Sequence, residues 1–205
     1  MKDTSTREYS DRLVQKQYKL WKKLFNVQLP YKWNLKRLEL GYVLDIGCGI
    51  GRNLKNLCGK GVGVDYNKYA VDEARIRGFS AYTNREFREL FRSEEICFDS
   101  ILVSHVIEHT GFDEGLNLLK EHLPYLKDGG KVVLITPQAK GYRTDPTHVE
   151  FIDFKKQKKM IHMADLRMQK QYSFPFPVLV GNFFPYNEFI SVGIKTDQGF
   201  DSDAE

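Results

Sequence analysis

Apolar residues along the chain fall into short continuous runs that alternate with amphipathic segments. The runs predict buried strands at residues 42–46, 62–64, 79–82, 98–104 and 131–136. Between them, apolar positions recur at helical spacing and predict helices at 52–58, 69–77, 84–92 and 113–126. Strands that alternate with helices are typical of the α/β class, a doubly wound sheet that binds ligands at the carboxyl ends of its strands.

Two segments flank this alternation. Before it, residues 13–25 repeat apolar positions at helical spacing among lysines, which predicts an amphipathic helix, and a short helix is predicted at 35–40 after Pro30. After it, residues 172–195 contain strand-like runs divided by prolines, as expected of a final antiparallel pair. The predicted organisation is a helical extension over 1–40, one α/β domain over 41–195 and a disordered acidic tail over 196–205.

The stretch from Tyr42 to Asn53, Y-V-L-D-I-G-C-G-I-G-R-N, joins the first strand to the first helix of this domain. Its alternating glycines let the backbone adopt positive φ and bring main-chain N–H groups close to a ligand. The spacing differs from a dinucleotide fingerprint, because Arg52 stands where the third glycine is required. It also excludes a Walker loop, which needs Lys and then Ser or Thr after the last glycine.

The second strand, G-V-G-V-D, ends in an acid, Asp65, which follows Asp45 by 20 residues (65 − 45). A carboxylate at this point of such a fold can accept hydrogen bonds from both hydroxyls of a ribose. Together with the glycine-rich turn, it predicts a nucleoside that lies across the carboxyl edge of the first two strands.

Composition narrows the functional classes. With 205 residues, 41% of them hydrophobic, the chain has room for one domain with a full core. The three cysteines form no C-x-x-C pair, so we expect a reducing compartment and neither a disulfide nor a zinc–thiolate site.

No apolar stretch approaches the length of a bilayer span, and we expect a cytoplasmic protein with no membrane partner. The net charge of +4 permits an anionic substrate but is smaller than a dedicated nucleic-acid binder usually carries.

Four motifs resemble those of the class I S-adenosylmethionine-dependent methyltransferases, in that family's order and spacing. They are V-L-D-I-G-C-G-I-G, G-V-G-V-D, F-D-S-I-L-V-S-H-V-I-E-H and L-K-D-G-G-K-V-V-L-I-T-P, and they cover residues 42–137. The resemblance implies a Rossmann-like, seven-stranded mixed sheet and S-adenosylmethionine as the cofactor. It also implies cofactor contacts from Asp45, Gly47, Cys48, Gly49, Asn53, Asp65, Tyr66 and Ser104, and adenine contacts from Asn84 and Glu86.

The fourth strand ends in H-V-I-E-H, which places His105, Glu108 and His109 on one face if the segment is a helix. Read alone, H-x-x-E-H is the zinc motif of the inverted metalloproteases, but those require a long helix and this motif follows a sheet strand. It more closely resembles the E-x-x-E-H of ubiquinone-pathway O-methyltransferases and of small-RNA terminal 2′-O-methyltransferases, with His105 in place of the first acid. That resemblance implies a divalent cation held by Glu108 and His109, together with His105 and His148.

Two interpretations of these histidines stay open. A ligand set this rich in nitrogen favours Zn, Fe, Ni or Mn over Mg. In the metal-free alternative, the histidine of the Glu-His pair hydrogen-bonds locally and the glutamate closes a helix turn. With or without a metal ion, His148 is the first candidate for a general base and His105 the second catalytic candidate, since an imidazole removes protons near neutral pH. His148 lies in the loop 137–148, which is too rich in proline and glycine for a helix and has Asp145 nearby to orient the ring. In the structural alternative, His148 only holds this loop in place and takes no part in the reaction.

The acceptor of the methyl group is expected to be an oxygen. Methyltransferases that act on the nitrogen of DNA or glutamine have an N/D-P-P-Y/W turn after the fourth strand, which residues 104–107 lack. We expect a small molecule or glycan whose pocket is lined by aromatic residues. These are Tyr31, Trp33, Tyr142, Phe151 and Tyr172. The basic run at 155–159 leaves an RNA methyltransferase open, and a non-catalytic nucleoside-binding module is the third alternative.

Overall fold

The computed structural model of the chain describes residues 29–91 and 98–196, which belong to two structural units, Met1–Ser93 and Glu94–Glu205. The helix predicted at 13–25 and nearly all of the predicted acidic tail lie outside the described residues. The seven strands described form a mixed sheet with flanking helices, which confirms the predicted fold class. None of the helices in the described ranges is long and apolar enough to span a membrane.

The first unit alternates helices with parallel strands. Its described elements are α1 (Leu29–Arg37), β1 (Val43–Ile46), α2 (Arg52–Asn56), β2 (Gly61–Asp65), α3 (Lys68–Ile76), β3 (Ala81–Thr83) and α4 (Asn84–Leu90). Strand β2 lies between β1 and β3, with Val43 opposite Gly61 and Gly63 opposite Ala81. All residues of β1 and β2 are buried, as expected for parallel strands that are covered on both faces.

Local side-chain chemistry explains where helix α3 begins. Asn67 caps α3, because its side chain accepts hydrogen bonds from two first-turn N–H groups at 3.0 and 3.2 Å. Within the described residues, helix α1 covers Leu29–Arg37, whereas the sequence predicts a helix at 35–40.

The second unit places an antiparallel pair beside a parallel pair. Its described elements are β4 (Phe98–Ser104), α5 (Ile107–Thr110), α6 (Phe112–His122), a 3-10 turn (Leu123–Tyr125), β5 (Leu126–Pro137), α7 (Ala139–Arg143), α8 (Phe154–Met163), β6 (Leu166–Phe174), a second 3-10 turn (Val178–Asn182) and β7 (Glu188–Lys195). Strand β5 pairs with β4 in parallel and with β7 in the antiparallel sense, and β7 also pairs with β6. Helix α6 is shorter than predicted, because Pro124 has no N–H with which to continue it.

The connection after β5 corrects one prediction. The sequence predicts no helix in the loop 137–148, yet the short helix α7 forms there. Its prolines flank the helix and do not interrupt it. Gly141 lies inside this helix, and a larger residue would not fit there, because a Cβ at this position would lie 2.5 Å from the carbonyl oxygen of Pro185.

Candidate active site

The glycine-rich turn after β1 has the backbone that its sequence predicts. Gly47, Gly49 and Gly51 adopt φ values of 69°, 54° and 80°, in the left-handed region that favours glycine. The N–H groups of Gly47 and Cys48 donate to the carbonyl oxygen of Val64 at 2.7 and 3.1 Å. These bonds fold the turn against the carboxyl end of β2, where the second predicted cofactor contact lies.

Asp65 ends β2 with its carboxylate facing the glycine-rich turn. Its Oδ2 accepts a hydrogen bond from the Gly49 N–H at 2.8 Å, and its Oδ1 accepts one from the Asn67 N–H at the same distance. The side chain is buried, which raises its pKa, and the two main-chain donors oppose that shift. Asp65 is therefore held in a fixed orientation beside the turn, with the exposed Tyr66 next to it.

Asp45 is a fully buried carboxylate in the middle of β1. Its Oδ1 accepts a hydrogen bond from the Asn53 side chain at 3.2 Å, while its Oδ2 has no hydrogen-bond partner within the described parts of the chain. Burial raises the pKa of Asp45 to about 7. A buried acceptor without a partner costs free energy. A cationic ligand group would remove that cost, so Asp45 fits a positively charged ligand.

The residues after β3 have a structural role in addition to their predicted adenine contacts. Asn84 is the first residue of α4, and Thr83 and Glu86 form a capping box at this helix end. The Glu86 carboxylate accepts from the Thr83 N–H and from Arg75, both at 2.8 Å, and these bonds lower its pKa to about 2. The adenine contacts of Asn84 and Glu86 stay a prediction.

In the second unit, β4 ends at the buried Ser104 and the chain turns at His105, whose φ of 58° is left-handed. Helix α5 begins only at Ile107. His105 therefore precedes the helix that carries Glu108, which corrects the expectation that one helical face holds the three residues of the H-x-x-E-H motif.

His105 is bound on both sides by carboxylates. Its Nδ1 lies 3.1 Å from Oε1 of Glu108, and its Nε2 lies 2.7 Å from Oε1 of Glu188 at the start of β7. Burial alone would lower the pKa of His105, but the two carboxylates outweigh it and raise the pKa to about 9. Both ring nitrogens are thus engaged.

Glu108 connects this histidine to the loop after α7. Its side chain is completely buried, and its Oε2 has no hydrogen-bond partner in the ranges that the structure describes. Its main-chain carbonyl oxygen accepts from the N–H groups of Val149 and Glu150 at 2.7 and 3.3 Å. These two bonds hold the loop against α5 and bring His148 next to His109.

The hydrogen bonds of His109 and His148 assign the tautomer of each ring. Thr147 donates its hydroxyl hydrogen to Asp145 at 2.6 Å, so that hydroxyl can only accept from Nδ1 of His109, 3.0 Å away. Nδ1 of His148 lies 2.7 Å from the carbonyl oxygen of Tyr142, which also requires a donor. Each Nδ1 therefore carries a hydrogen, and in the neutral form of each ring the lone pair lies on Nε2. Burial lowers the pKa of His109, which favours the neutral ring.

Glu108, His109 and His148 together form a three-donor cluster. One candidate ligand atom from each lies within 4.8 Å of the others, and the two imidazole rings are 4.6 Å apart between centroids. The structure thus brings together three of the four predicted metal-binding residues, while the fourth, His105, lies between the carboxylates of Glu108 and Glu188. The site combines two imidazoles with a buried carboxylate, a donor set that suits Zn, Fe, Ni or Mn.

An aromatic wall adjoins this cluster. Tyr142 stacks on His148, with ring centroids 5.3 Å apart and an interplanar angle of 18°, and Phe151 meets the Tyr142 ring edge-on at 5.2 Å. Two of the predicted pocket aromatics therefore contact the cluster or its neighbours. Tyr31 and Trp33 lie on α1 of the first unit, and Tyr172 lies on β6.

Sequence reasoning did not find Glu188, which lies 83 residues from the histidine it binds. Its segment carries no motif, and only the pairing of β5 with β7 brings it to the site, with Pro137 opposite Glu188. The carbonyl oxygen of Tyr142 and the hydroxyl of Thr147 were missed for a similar reason, because loop geometry alone makes them partners of the histidines.

A family model described as a methyltransferase domain matches residues 14–186 of the chain. No curated protein sequence matches it. The match includes most of both structural units, with the glycine-rich turn and the three-donor cluster.

Solved structures with the same fold share little sequence with the chain. An S-adenosylmethionine-dependent methyltransferase from Archaeoglobus fulgidus has a TM-score of 0.66 at 19% identity, over 86% of this chain and 98% of that one. A complex of the Haloferax volcanii Trm112 methyltransferase activator with a methyltransferase gives 0.67 at 16% identity, over 94% and 96%. Magnesium protoporphyrin IX methyltransferase from Synechocystis, with bound S-adenosylhomocysteine, gives 0.65 at 12% identity, over 95% and 97%.

Proposed function

The chain belongs to the methyltransferase domain family and is an S-adenosylmethionine-dependent methyltransferase, and from this premise we propose that it methylates an oxygen atom of a small molecule or sugar. The observation that supports an oxygen acceptor is the pair of imidazoles, His109 and His148, beside the buried Glu108. A hydroxyl group must lose its proton during transfer, and this cluster offers lone pairs that can take it.

The first unit offers the side chains that fit the cofactor. Bound S-adenosylmethionine supplies a methyl group that its sulfonium already activates. Asp65 is proposed to accept the ribose hydroxyls, since its carboxylate is fixed beside the turn. Asp45 is proposed to face the positive charge of the cofactor, since its Oδ2 has no partner within the described residues. The remaining proposed contacts come from Gly47, Cys48, Gly49, Asn53, Tyr66, Asn84, Glu86 and Ser104.

His148 is proposed as the general base. The Tyr142 carbonyl oxygen accepts from Nδ1 of His148 and so leaves Nε2 free to receive a proton. The stacked Tyr142 ring limits rotation of the imidazole. On protonation, the resulting positive charge would lie beside the carboxylate of Glu108, which stabilises it.

A divalent metal ion is the alternative means of removing the proton from the acceptor. Glu108, His109 and His148 would hold the ion, and it would supply a Lewis acid that lowers the pKa of the acceptor hydroxyl. Support comes from the unpartnered Oε2 of Glu108 and from the acceptors that fix both Nδ1–H groups, as around histidine ligands of known sites.

Chelation separates the two mechanisms. If a metal ion is needed, dialysis against a chelator abolishes methyl transfer, added Zn²⁺ or Mn²⁺ restores it, and elemental analysis finds about one ion per chain. Activity that is unchanged after chelation, in protein shown to be metal-free, leaves His148 as the base.

The type of acceptor atom is tested with cofactor that carries a carbon-13 methyl group. The enzyme is incubated with extracts and with panels of phenols, hydroxy acids and sugars, and the labelled products are examined by NMR. The proposal requires a methyl carbon with the chemical shift of an O-methyl ether or ester. Labelling confined to nitrogen or sulfur would contradict it.

An RNA substrate is the second candidate, based on the basic run at 155–159. Two lysines of this run have partners within the chain, since Lys156 pairs with Glu150 at 2.6 Å and Lys159 lies over the Phe112 ring. Fewer positive charges are then available for phosphate groups. RNA binding that is tight and weakens steeply with salt would favour this candidate, and undetectable binding would remove it.

A further inference from the structure

The connection between β6 and β7, in the second unit, exposes a group of large apolar side chains. Leu179 and Phe183 are the most exposed of them, at 78% and 83% of their full surface, and Phe176 and Val178 are exposed at 47% and 46%. We call these four residues the apolar tip. Single exposed apolar residues are ordinary in proteins, but several within one turn are typical of a binding surface.

The backbone of the apolar tip is held by hydrogen bonds within the protein. The side chain of the buried Asn187 accepts from the Phe176 N–H at 2.8 Å and donates to the carbonyl oxygens of Phe176 and Pro177 at 3.0 and 3.2 Å. The N–H of Phe183 donates to the carbonyl oxygen of Val180 at 3.0 Å. The turn is therefore a defined structure that bonds its main chain internally and presents apolar side chains on the outside.

Helix α7 packs against this turn and carries two cations. The two segments are in close contact, because a Cβ on Gly181 would collide with the side chain of Gln138, the residue directly before α7. Lys140 and Arg143 of α7 are exposed, and neither forms an ion pair with an acid among the described residues. Free positive charges thus lie on the element that supports the apolar tip.

No acid within these two segments balances the cations. Residues 138–143 and 173–187 contain the two cations of α7 as their only charged side chains. The nearest acids along the chain are engaged elsewhere, since Asp145 accepts from the Thr147 hydroxyl at 2.6 Å and Glu188 is buried. The surface therefore combines exposed apolar groups with charge of one sign.

We propose that the apolar tip, together with Lys140 and Arg143, docks the protein on the surface of an anionic lipid bilayer. Apolar side chains can enter the boundary between headgroups and acyl chains, while neighbouring cations are attracted to the negative headgroups. Of the six exposed residues between positions 173 and 187, only Asn182 has a polar side chain. A protein partner would normally meet a polar rim, whereas hydrocarbon requires no hydrogen-bonding groups.

Docking of this kind goes beyond the proposed function and does not depend on it. The expectation of no membrane partner was based on the length of a bilayer span, and docking on a surface needs no span. Helix α7 also carries Tyr142, whose carbonyl oxygen lies 2.7 Å from Nδ1 of His148. Contact between the apolar tip and lipid would therefore bring the three-donor cluster close to the bilayer surface.

Co-sedimentation of the full chain with lipid vesicles tests the proposal. The wild type should bind vesicles of equal parts phosphatidylglycerol and phosphatidylcholine more tightly than vesicles of phosphatidylcholine alone, and binding should weaken when salt is raised from about 0.1 M to about 1 M. Leu179→Ser and Phe183→Ser should each weaken binding about tenfold, because each loses apolar surface that lipid would bury. Lys140→Gln and Arg143→Gln should each weaken it about fivefold.

Two substitutions outside the apolar tip and α7 serve as matched controls. Ile76→Ser removes an apolar side chain that is 81% exposed on α3, and Lys60→Gln removes one exposed positive charge before β2. Both should bind the mixed vesicles as the wild type does. Equal weakening by the controls and by the variants of the apolar tip would overturn the proposal, because binding would then be non-specific adsorption.

The remaining outcomes identify other occupants of the apolar tip. Absence of vesicle binding by the wild type, or unchanged binding by Leu179→Ser and Phe183→Ser, would overturn lipid docking. A dimer of the wild type that Leu179→Ser dissociates, seen by analytical ultracentrifugation without lipid, would assign the surface to a second copy of the chain instead. A Tm that Leu179→Ser and Phe183→Ser lower strongly without lipid would assign it to a contact within the chain. A protein captured from an extract by the wild type and not by Leu179→Ser, without vesicle binding, would assign it to a protein partner.

Discussion

At the scale of single residues, main-chain carbonyls and hydroxyls set the chemistry of the histidines. His148 and His109 each have Nδ1 fixed by an oxygen acceptor, so Nε2 is the ring nitrogen that has no such contact with the loop. Both ring nitrogens of His105 contact carboxylates. Three histidines that look equivalent in the sequence therefore have two different kinds of hydrogen-bonding environment.

Replacing His148 is expected to affect catalysis and not cofactor binding. His148→Gln should lower kcat about 10²–10⁴-fold, because the variant lacks the nitrogen that takes the proton or binds the metal ion. The affinity for S-adenosylmethionine, measured by calorimetry, should stay unchanged. His162→Gln on α8 is the control, since that histidine is exposed. An unchanged kcat in His148→Gln would remove it from the mechanism.

Asp45 should make stability depend on pH in a defined direction. Burial raises its folded-state pKa to about 7 from an ordinary value of 3.8. Its stabilising contribution is then fully present below the lower pKa and is lost as the pH rises through the higher one. A pKa difference of this size corresponds to about 4 kcal/mol across the range.

Asp45→Asn removes the titrating carboxyl group and should therefore make the free energy of unfolding less dependent on pH in this range. Urea unfolding between about pH 4 and pH 8 should show the wild type losing stability relative to the variant as the pH rises. Asp65 is also buried with a raised pKa and is present in both proteins, so the difference between their profiles reports Asp45 together with its electrostatic coupling to Asp65. Parallel profiles for the two proteins would show that Asp45 does not titrate in this range.

At the scale of helices and strands, prediction succeeded where local pattern determines structure. The apolar run at residues 98–104 predicted β4 with the same bounds as in the structure. A strand that is buried on both faces is apolar along its length, so its bounds are visible in the sequence. Helix α7 was missed because Gly141 argues against a helix in the local sequence. The structure shows why a glycine is present there: the carbonyl oxygen of Pro185 leaves no room for a Cβ.

In the candidate site, too, the residues that belong to local motifs were predictable and their long-range partners were not. Motifs identified Asp65, Glu108 and His109, because these residues follow strands at recognisable spacing. They did not identify Glu188, since its contact with His105 depends on the antiparallel pairing of β7. Long-range pairing determines which groups are free and which are engaged, and that part required the structure.

A substitution in strand β2 tests how closely the glycine-rich turn packs against that strand. A Cβ on Gly63 would lie 2.5 Å from Sγ and 2.7 Å from Cβ of Cys48, so rotation of the Cys48 side chain cannot relieve the whole clash. Gly63→Ala should therefore destabilise the protein by about 1–3 kcal/mol and weaken cofactor binding, because the turn must move.

The control for this substitution is Gly78→Ala. Gly78 has a φ of +86° and open space where a Cβ would lie, so its replacement costs backbone strain without a clash. It should lower stability by roughly 1–2 kcal/mol and leave cofactor affinity unchanged. Equal cofactor affinity in Gly63→Ala and the wild type would contradict the close packing of Gly63 against the turn.

At the scale of the whole molecule, the proposed function divides between two structural units. The first unit carries the glycine-rich turn with the carboxylates of Asp45 and Asp65, and the second carries the three-donor cluster. Substitutions should therefore fall into two classes. Those in the first unit should change cofactor affinity, and those in the second should change turnover or metal affinity.

The central claim is that the carboxylate at the end of β2 holds the cofactor's ribose. Calorimetric titration with S-adenosylhomocysteine tests it directly on three proteins of verified fold: the wild type, Asp65→Ala and the control Asp72→Ala, which alters an acid on the surface of α3. We expect one molecule bound per chain in the wild type and the control, and no detectable binding in Asp65→Ala, since hydrogen bonds to a charged group are lost. Unweakened binding by Asp65→Ala, or none by the wild type, would contradict the account.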